Sequence, residues 1–123
     1  MECGKLEIVG NRVIIAPANS TVWMTKHEIT DLFGCFVAKV VSNIPAILKS
    51  GVLDESRVCR CRRYNDGGSI ELYNLEMIIA LSFRIKSRKS EILRCWLIER
   101  ITRQEKERQF PIFISYGCDT PPN

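Results

Sequence analysis

Two short helices separated by a tight turn are the feature of this sequence that most constrains its fold. Residues 25–34, TKHEITDLFG, predict a helix that begins with a capping box formed by Thr25 and Glu28. Gly34 supplies the left-handed residue that ends this helix. A second helix follows after a two-residue turn, from Val37 onward. Helices joined this closely predict a helix-turn-helix.

The second helix is predicted to bury one of its sides. On a helical wheel, apolar side chains gather on one face, and small or basic side chains gather on the other. The predicted core face consists of Phe36, Val37, Val40, Val41, Ile44, Ile47 and Leu48, and the opposite face of Ala38, Lys39, Ser42, Ala46 and Lys49. Pro45 cannot donate a hydrogen bond to the Val41 carbonyl, so we predict a break or kink near Ile44, before a final turn that ends at Gly51.

Segments with β character flank the two helices. Residues 6–9 and 12–15 predict a hairpin with a Gly-Asn turn, and residues 21–23 predict a strand that leads into the first helix. Further on, residues 58–63 and 70–73 predict a second hairpin in the position of a wing. Asn74 and Ser87 are predicted to cap two more helices, the first extending to about residue 85.

The order of these elements predicts the fold class. We expect an α+β winged helix-turn-helix with an N-terminal β-hairpin, a β-wing and two C-terminal helices. Residues 1–109 would form a single domain. Residues 110–123 would be a C-terminal extension with a short strand and a frayed end.

Length and composition are those of an ordinary soluble domain. The chain has 123 residues, 46% of them hydrophobic and 26% charged, with a net charge of +4. That length supports one hydrophobic core. No apolar run could span a bilayer, and residues 1–7 lack the basic start and apolar stretch of a secretory signal. We therefore expect a cytoplasmic protein that does not contact a membrane.

Six cysteines and one histidine do not form a known catalytic or metal-binding pattern. We expect free thiols, buried in apolar surroundings. Cys59 and Cys61 are too closely spaced for a zinc knuckle, and His27 is far from them. On a helix, Glu28 diverges from the adjacent His27, so the two do not make an acid–base pair. We expect no enzymatic activity, no metal or other cofactor, and no small-molecule substrate.

Three segments carry a resemblance to a known family. They are residues 22–34 (VWMTKHEITDLFG), 51–54 (GVLD) and 73–85 (YNLEMIIALSFRI), the last followed by Ser87. Over about residues 6 to 101 the chain resembles the N-terminal domain of the RhuM-type "virulence protein" family, often found in mobile and phage-derived bacterial DNA. The resemblance implies DNA binding by a winged helix-turn-helix and regulation of transcription or of a mobile element. Family members tend to carry Ser, Arg, Thr and His where this chain has mostly small and apolar residues, from Phe36 to Pro45.

Basic and polar side chains on the helices and the wing are the predicted contacts with DNA. The second helix of a helix-turn-helix can enter the major groove while the first crosses the phosphate backbone. Arg60 and Arg62 should point the same way from their strand, where they either contact phosphates or only solvate a sheet edge. Asn43 is the one candidate for a bidentate contact with adenine. The predicted set is Lys26, Lys39, Ser42, Asn43, Lys49, Arg57, Arg60, Arg62, Arg63, Lys86, Arg88 and Lys89.

Double-stranded DNA is the expected partner, and a protein partner is the alternative. DNA-binding domains of this size commonly act as dimers, so a homodimer is also expected, with residues 110–116 as a candidate contact. In the alternative, a winged-helix scaffold that has lost base readout docks a protein on its second helix. An exposed apolar patch of Cys35, Phe36, Ala38 and Ala46 would favour the protein. An inward Phe36 beside a positive helix and wing would favour DNA.

Overall fold

The chain has a mixed α+β fold, in which three strands, three helices, two strands and two helices follow one another. The computed structural model describes residues 3–108, and side chains through Arg103. In chain order the elements are strands β1 (Lys5–Val9), β2 (Arg12–Ala16) and β3 (Trp23–Met24), helices α1 (Lys26–Phe33), α2 (Val37–Ser50) and α3 (Glu55–Val58), strands β4 (Cys59–Arg63) and β5 (Ser69–Asn74), and helices α4 (Leu75–Ser82) and α5 (Arg88–Arg108). The extension predicted at residues 110–123 lies outside the described residues, so it and the domain boundary at residue 109 stay predictions.

The N-terminal hairpin is confirmed. Strands β1 and β2 pair antiparallel, with Val9 opposite Arg12 across the two-residue turn. Gly10 has a φ of +59°, which glycine adopts without steric cost. Leu6 and Ile8 alternate toward the core and are buried there. Their period of two therefore decides which face of the hairpin packs against the helices.

The second hairpin is also confirmed, and it belongs to a three-stranded antiparallel sheet in the order β3-β5-β4. Strand β3 pairs with the end of β5, where Trp23 lies opposite Asn74. It begins two residues later than the sequence predicts. The reason is that the Thr21 backbone pairs with Ala18 instead: the Ala18 amide donates to the Thr21 carbonyl at 2.8 Å, and the Thr21 amide donates to the Ala18 carbonyl at 3.2 Å.

Helix α1 begins and ends where its sequence signals predict. The Thr25 hydroxyl accepts from the Glu28 amide at 3.1 Å, and the Thr25 amide donates to the Glu28 carboxylate at 2.8 Å. Gly34 follows the helix with a φ of 59°. Beyond it, α2 runs at 115° to α1, and the two helices pack against each other. Ile29 and Phe33 are fully buried and fix α1 to the core.

The second helix has no break at Pro45, so that part of the prediction is wrong, and a kink near Ile44 stays a prediction. Helix α2 continues through Pro45 and ends before Gly51, which has a φ of 81°. The fixed φ of proline is itself helical, so the chain can stay helical at this residue although one hydrogen bond is lost. Ile44 and Ile47, on either side of Pro45, are both buried. Their packing supports the helical conformation of the last turn.

The predicted core face of α2 is only partly right. Val40, Ile44 and Ile47 are buried, but Phe36 is 81% exposed, Val37 44% and Val41 46%. Phe36 is the residue before the first helical turn, so its side chain does not follow the helical wheel. Val37 and Val41 lie at the margin of the buried stripe, where none of the described elements covers them fully. An apolar surface thus stays open to solvent along the first half of α2.

Residues 54–58, predicted as a polar link and the start of a strand, contain the short helix α3. Asp54 caps it by accepting hydrogen bonds from the amide and the hydroxyl of Ser56, at 3.0 and 2.9 Å. These hydrogen bonds lower the pKa of the Asp54 carboxyl, because they stabilise its charged form. The helix places Arg57 beside α4 and not on the strand that follows.

Helices α4 and α5 start at their predicted caps. Asn74 accepts from the Met77 amide at 3.2 Å, and the Ser87 hydroxyl accepts from the Ser90 amide at 3.1 Å. Helix α4 is shorter than predicted and ends at Ser82. There the Arg94 guanidinium, from α5, donates to the Ser82 carbonyl and satisfies the end of the helix. The contact spans two helices, so no local sequence signal indicates it.

Buried side chains from the hairpin, the sheet and every helix form one cluster. Its members are Leu6, Ile8, Val22, Ile29, Leu32, Phe33, Val40, Ile44, Ile47, Val58, Tyr73, Met77, Ile78, Leu81, Ile85 and Leu93. Among the described helices, none by itself is long and apolar enough to cross a membrane. Only α1 and α2 counted together, across their 115° bend, pass that test, by length and composition alone.

Candidate functional site

The outer side of α2 is the most distinctive surface of the described chain. We call it the α2 face, and it consists of Phe36, Val37, Ala38, Lys39, Val41, Ser42, Pro45 and Lys49, all exposed. Burial of Val40, Ile44 and Ile47 on the opposite side fixes its orientation. The face combines small or apolar side chains with two lysines. It therefore offers an apolar contact area next to the positive charges of Lys39 and Lys49.

No carboxylate lies within the helix or its flanks, since residues 34–53 contain neither Asp nor Glu. Among the described residues, Lys39 and Lys49 form no ion pair. Phe36 provides no side-chain hydrogen bond to the first turn of α2. The partial positive charge at this helix end is thus not neutralised by a cap, and it adds to the charge of the lysines.

Asn43, the candidate for base readout, is engaged within the protein. Its amide donates to the Lys39 carbonyl at 2.7 Å, and its oxygen accepts from Arg84 Nε at 2.9 Å. The side chain therefore ties α2 to the turn after α4. Ser42 stays on the α2 face, with its hydroxyl donating to the same Lys39 carbonyl at 3.4 Å.

Arg60 and Arg62 project from the same side of β4, and this side faces away from the core. The Arg60 guanidinium lies 4.4 Å from the centre of the Trp23 ring, and Arg62 donates to Cys3 Sγ at 3.7 Å. Leu72, opposite Arg60 in the sheet, is buried beneath them. We call this surface the Trp23 face; it consists of Trp23, Arg60, Arg62, Ile70 and Leu72. The two arginines cover an apolar part of the sheet.

Three of the other predicted contacts pair with surface carboxylates. Lys26 Nζ is 3.7 Å from Glu71, Arg57 Nη2 is 3.6 Å from Glu76, and Arg88 Nη1 is 3.4 Å from Glu91. Lys89 is half-buried beside Gly34, whereas Lys86 and Arg63 are exposed on the α4–α5 turn and at the end of β4. The predicted set is therefore not one surface. Lys39, Ser42 and Lys49 share the α2 face, and Arg60 and Arg62 share the Trp23 face.

A cleft of about 400 Å³ lies between the N-terminal hairpin and the Trp23 face. Its carboxylates already have partners: Glu28 accepts in the α1 capping box, and Glu7 is 3.5 Å from Lys5 Nζ. In the part of the chain that the structure describes, no group of three or more His, Cys, Asp or Glu side chains is placed to hold a metal ion.

The expectation that the cysteines are buried is wrong for Cys61 and Cys95 and only partly right for Cys35 and Cys59, which pack against the core. Cys61 and Cys95 are exposed, and Cys3, Cys35 and Cys59 are half-buried; all five are free thiols. Burial raises the pKa of Cys35 and of Cys59. The exposed thiols lie where their elements extend past the core, at the outer part of β4 and on the outer side of α5. Residue type alone does not predict which positions of a strand or helix are covered by the core and which are exposed.

Two residues outside the predicted set shape the α2 face. Phe36 is its most exposed apolar side chain, and the available signal was its place just before the helix start. Arg84 fixes Asn43 from 41 positions further along the chain, a separation that no local pattern reveals. Asn43, the residue predicted to contact bases, is thus engaged within the protein, and the exposed surface of α2 is largely apolar.

Comparison with protein-family models, with curated proteins and with solved structures found no match. The resemblance to the RhuM-type family therefore stays a prediction.

Proposed function

We propose that this chain is a winged helix-turn-helix domain that binds double-stranded DNA, mainly through phosphates, with the α2 face over a major groove. The observation that carries the proposal is the topology. Strand β3 precedes the helix pair α1 and α2, and β4 and β5 follow it in a sheet ordered β3-β5-β4. In a helix-turn-helix, the outer side of the second helix enters the groove while the first helix crosses the backbone. The β4–β5 ribbon takes the place of a wing.

The charge of the α2 face supports this proposal. Lys39 and Lys49 are ten residues apart, about 15 Å along the helix axis, and no carboxylate lies between them. They can therefore contact phosphates at both ends of the helix. The uncapped start of α2 adds backbone amides that favour an anion.

The remaining basic side chains have unequal roles in the proposal. Lys26, Arg57 and Arg88 sit in exposed ion pairs, which are generally worth less than about 1 kcal/mol, so a phosphate can replace the carboxylate. Arg60 and Arg62 already cover the Trp23 face, and we assign them a smaller part. The proposal therefore depends on α2 more than on the ribbon.

The second candidate function is docking of a protein, and one observation favours it. Phe36 and Ala38 are exposed, as the alternative requires, whereas Cys35 and Ala46 are half-buried. Phe36 does not fold inward, which was the arrangement expected to favour DNA, and Val37 and Val41 extend the exposed apolar surface. The apolar stripe and its two lysines would suit an amphipathic helix with acidic flanks. A helical partner would bury the stripe, whereas phosphates alone would leave it exposed.

A Lys39→Ala/Lys49→Ala double variant tests DNA binding. We expect the wild-type chain to bind a mixed-sequence duplex with an affinity that falls steeply as salt rises, because each phosphate contact releases counterions. The double variant should bind more weakly, and the slope of log K against log salt should decrease in magnitude by about 2, or about 1 per phosphate contact. Fluorescence anisotropy titrations at several salt concentrations measure both quantities.

Lys5→Ala is the matched control, because Lys5 lies on β1 and pairs with Glu7. This control should leave the slope unchanged. If the double variant and the control behave alike, α2 has no part in the binding. Absence of any binding at low salt would overturn the proposal, and binding of an acidic amphipathic peptide would then support the second candidate.

The biological context stays a proposal as well. Regulation of transcription or of a mobile element follows from the family resemblance. A homodimer follows from the few base pairs that one short helix can cover. A cytoplasmic location is part of the same proposal.

A further inference from the structure

The apolar part of the α2 face points to a particular kind of groove contact. We infer that Phe36, Val37, Ala38 and Val41 contact the 5-methyl groups of pyrimidines, so that the domain prefers thymine, or 5-methylcytosine, over bases that lack the methyl. This inference rests on the proposed DNA binding and adds the chemical feature that α2 would recognise.

The position of these side chains on the helix supports the inference. The residues that contact base edges lie near the N-terminal end of a recognition helix. In α2 this end carries the exposed Phe36 and Val37, followed one turn later by Val41. Ala38, between them, is small enough to let the helix backbone approach the groove closely.

The polar groups available on α2 are few. Asn43 is engaged with Arg84 and with the Lys39 carbonyl, and the Ser42 hydroxyl is directed at the same carbonyl. Hydrogen-bond readout of bases by this helix is therefore limited, since Lys39 and Lys49 are assigned to phosphates. Every base pair offers hydrogen-bonding groups in the major groove, but the thymine methyl is the one apolar group there. An apolar helix end is chemically matched to that methyl.

The positive charge around the apolar residues favours a polyanion as the partner of the α2 face. Residues 34–53 include Lys39 and Lys49 but no Asp or Glu, so a polyanion can approach without repulsion. A neutral apolar partner would gain nothing from those lysines. Duplex DNA supplies phosphates for the lysines and methyl groups for the apolar side chains at the same time.

Two duplexes of identical sequence, one with thymine and one with deoxyuridine at every thymine position, test the inference. Their phosphates and hydrogen-bonding edges are the same, and only the methyl groups differ. We expect wild-type affinity to be about fourfold lower for each contacted methyl that is removed. Replacing cytosine by 5-methylcytosine in a second pair of duplexes should raise the affinity by a similar factor.

A Phe36→Ala/Val41→Ala variant assigns the effect to α2. Both side chains are exposed, so the variant should fold, and its salt dependence should match that of the wild type. We expect its preference for the methylated duplexes to be lost. Val52→Ala, which changes an exposed valine beyond the end of α2, is the matched control and should keep the preference.

The possible outcomes separate the two proposals. Salt-dependent binding with equal affinity for thymine and deoxyuridine duplexes would overturn the methyl inference and leave the proposed function standing. A preference that persists in Phe36→Ala/Val41→Ala would overturn the assignment to α2. Failure to bind any duplex would overturn both, and capture of an acidic amphipathic peptide instead would identify the face as a protein-docking surface.

Discussion

Cys59 and Cys61 show how the position along a strand decides the chemistry of a side chain. The two cysteines project from the same side of β4, the side that also carries Tyr73 and Glu71 on β5. Cys59 lies opposite the buried Tyr73 and is half-buried, whereas Cys61 lies further out and is exposed. Burial raises the pKa of the Cys59 thiol, and the negative charge of Glu71 raises it further. The sequence alternation predicts the shared side but not the point at which the core ends.

This difference predicts unequal reactivity of the two thiols. A raised pKa leaves less thiolate at neutral pH, and burial limits access, so Cys59 should be alkylated several-fold more slowly than Cys61. Timed treatment with iodoacetamide, followed by peptide mass spectrometry, measures both rates, because trypsin cuts after Arg60 and separates the two cysteines. In urea the two rates should converge. Equal rates in the native protein would show that Cys59 is not protected.

Among helices and strands, local sequence signals predict where a helix begins and ends better than they predict which of its sides is buried. The limits of α1 follow from Thr25, Glu28 and Gly34, which all act within a few residues of one another. The continuity of α2 through Pro45 could not be predicted, because Ile44 and Ile47, which flank the proline, pack against elements distant in sequence. Helix α3 was missed because four residues give no periodicity to detect.

The continuity of α2 predicts that Pro45→Ala stabilises the protein. Alanine restores the hydrogen bond to the Val41 carbonyl, which should recover up to about 3 kcal/mol. The more flexible unfolded chain offsets up to about 1 kcal/mol of this, so the free energy of unfolding should rise by about 2 kcal/mol. Urea denaturation followed by circular dichroism measures the change.

Ser42→Ala is the control for this experiment, since it alters another exposed site on α2 without adding a backbone hydrogen bond. It should change the free energy of unfolding by less than about 0.7 kcal/mol. If Pro45→Ala destabilises the protein, the conformation of α2 depends on the proline, and the helix is not merely tolerating it.

For the whole molecule, the order of elements was predictable, whereas the distribution of charge was not. The two hairpins, the helix pair and the last two helices follow from alternation, caps and turns. The Arg84–Asn43 contact joins residues 41 positions apart, and the side-chain amide of Asn74 donates to the Arg57 carbonyl, 17 positions earlier in the chain. Such contacts depend on tertiary packing, which the sequence pattern does not show. For the same reason, the sequence did not predict that the basic side chains of α2 and of β4 would lie on two different surfaces, the α2 face and the Trp23 face.

The central proposal is that the α2 face is the surface that meets duplex DNA. Its most direct test is an NMR titration of the isotopically labelled full chain with a mixed-sequence duplex at low salt. We predict that the largest amide shift changes occur at residues 36–49 and that they reverse when salt is added. Largest changes on the Trp23 face, or no changes at residues 36–49, would contradict the proposal.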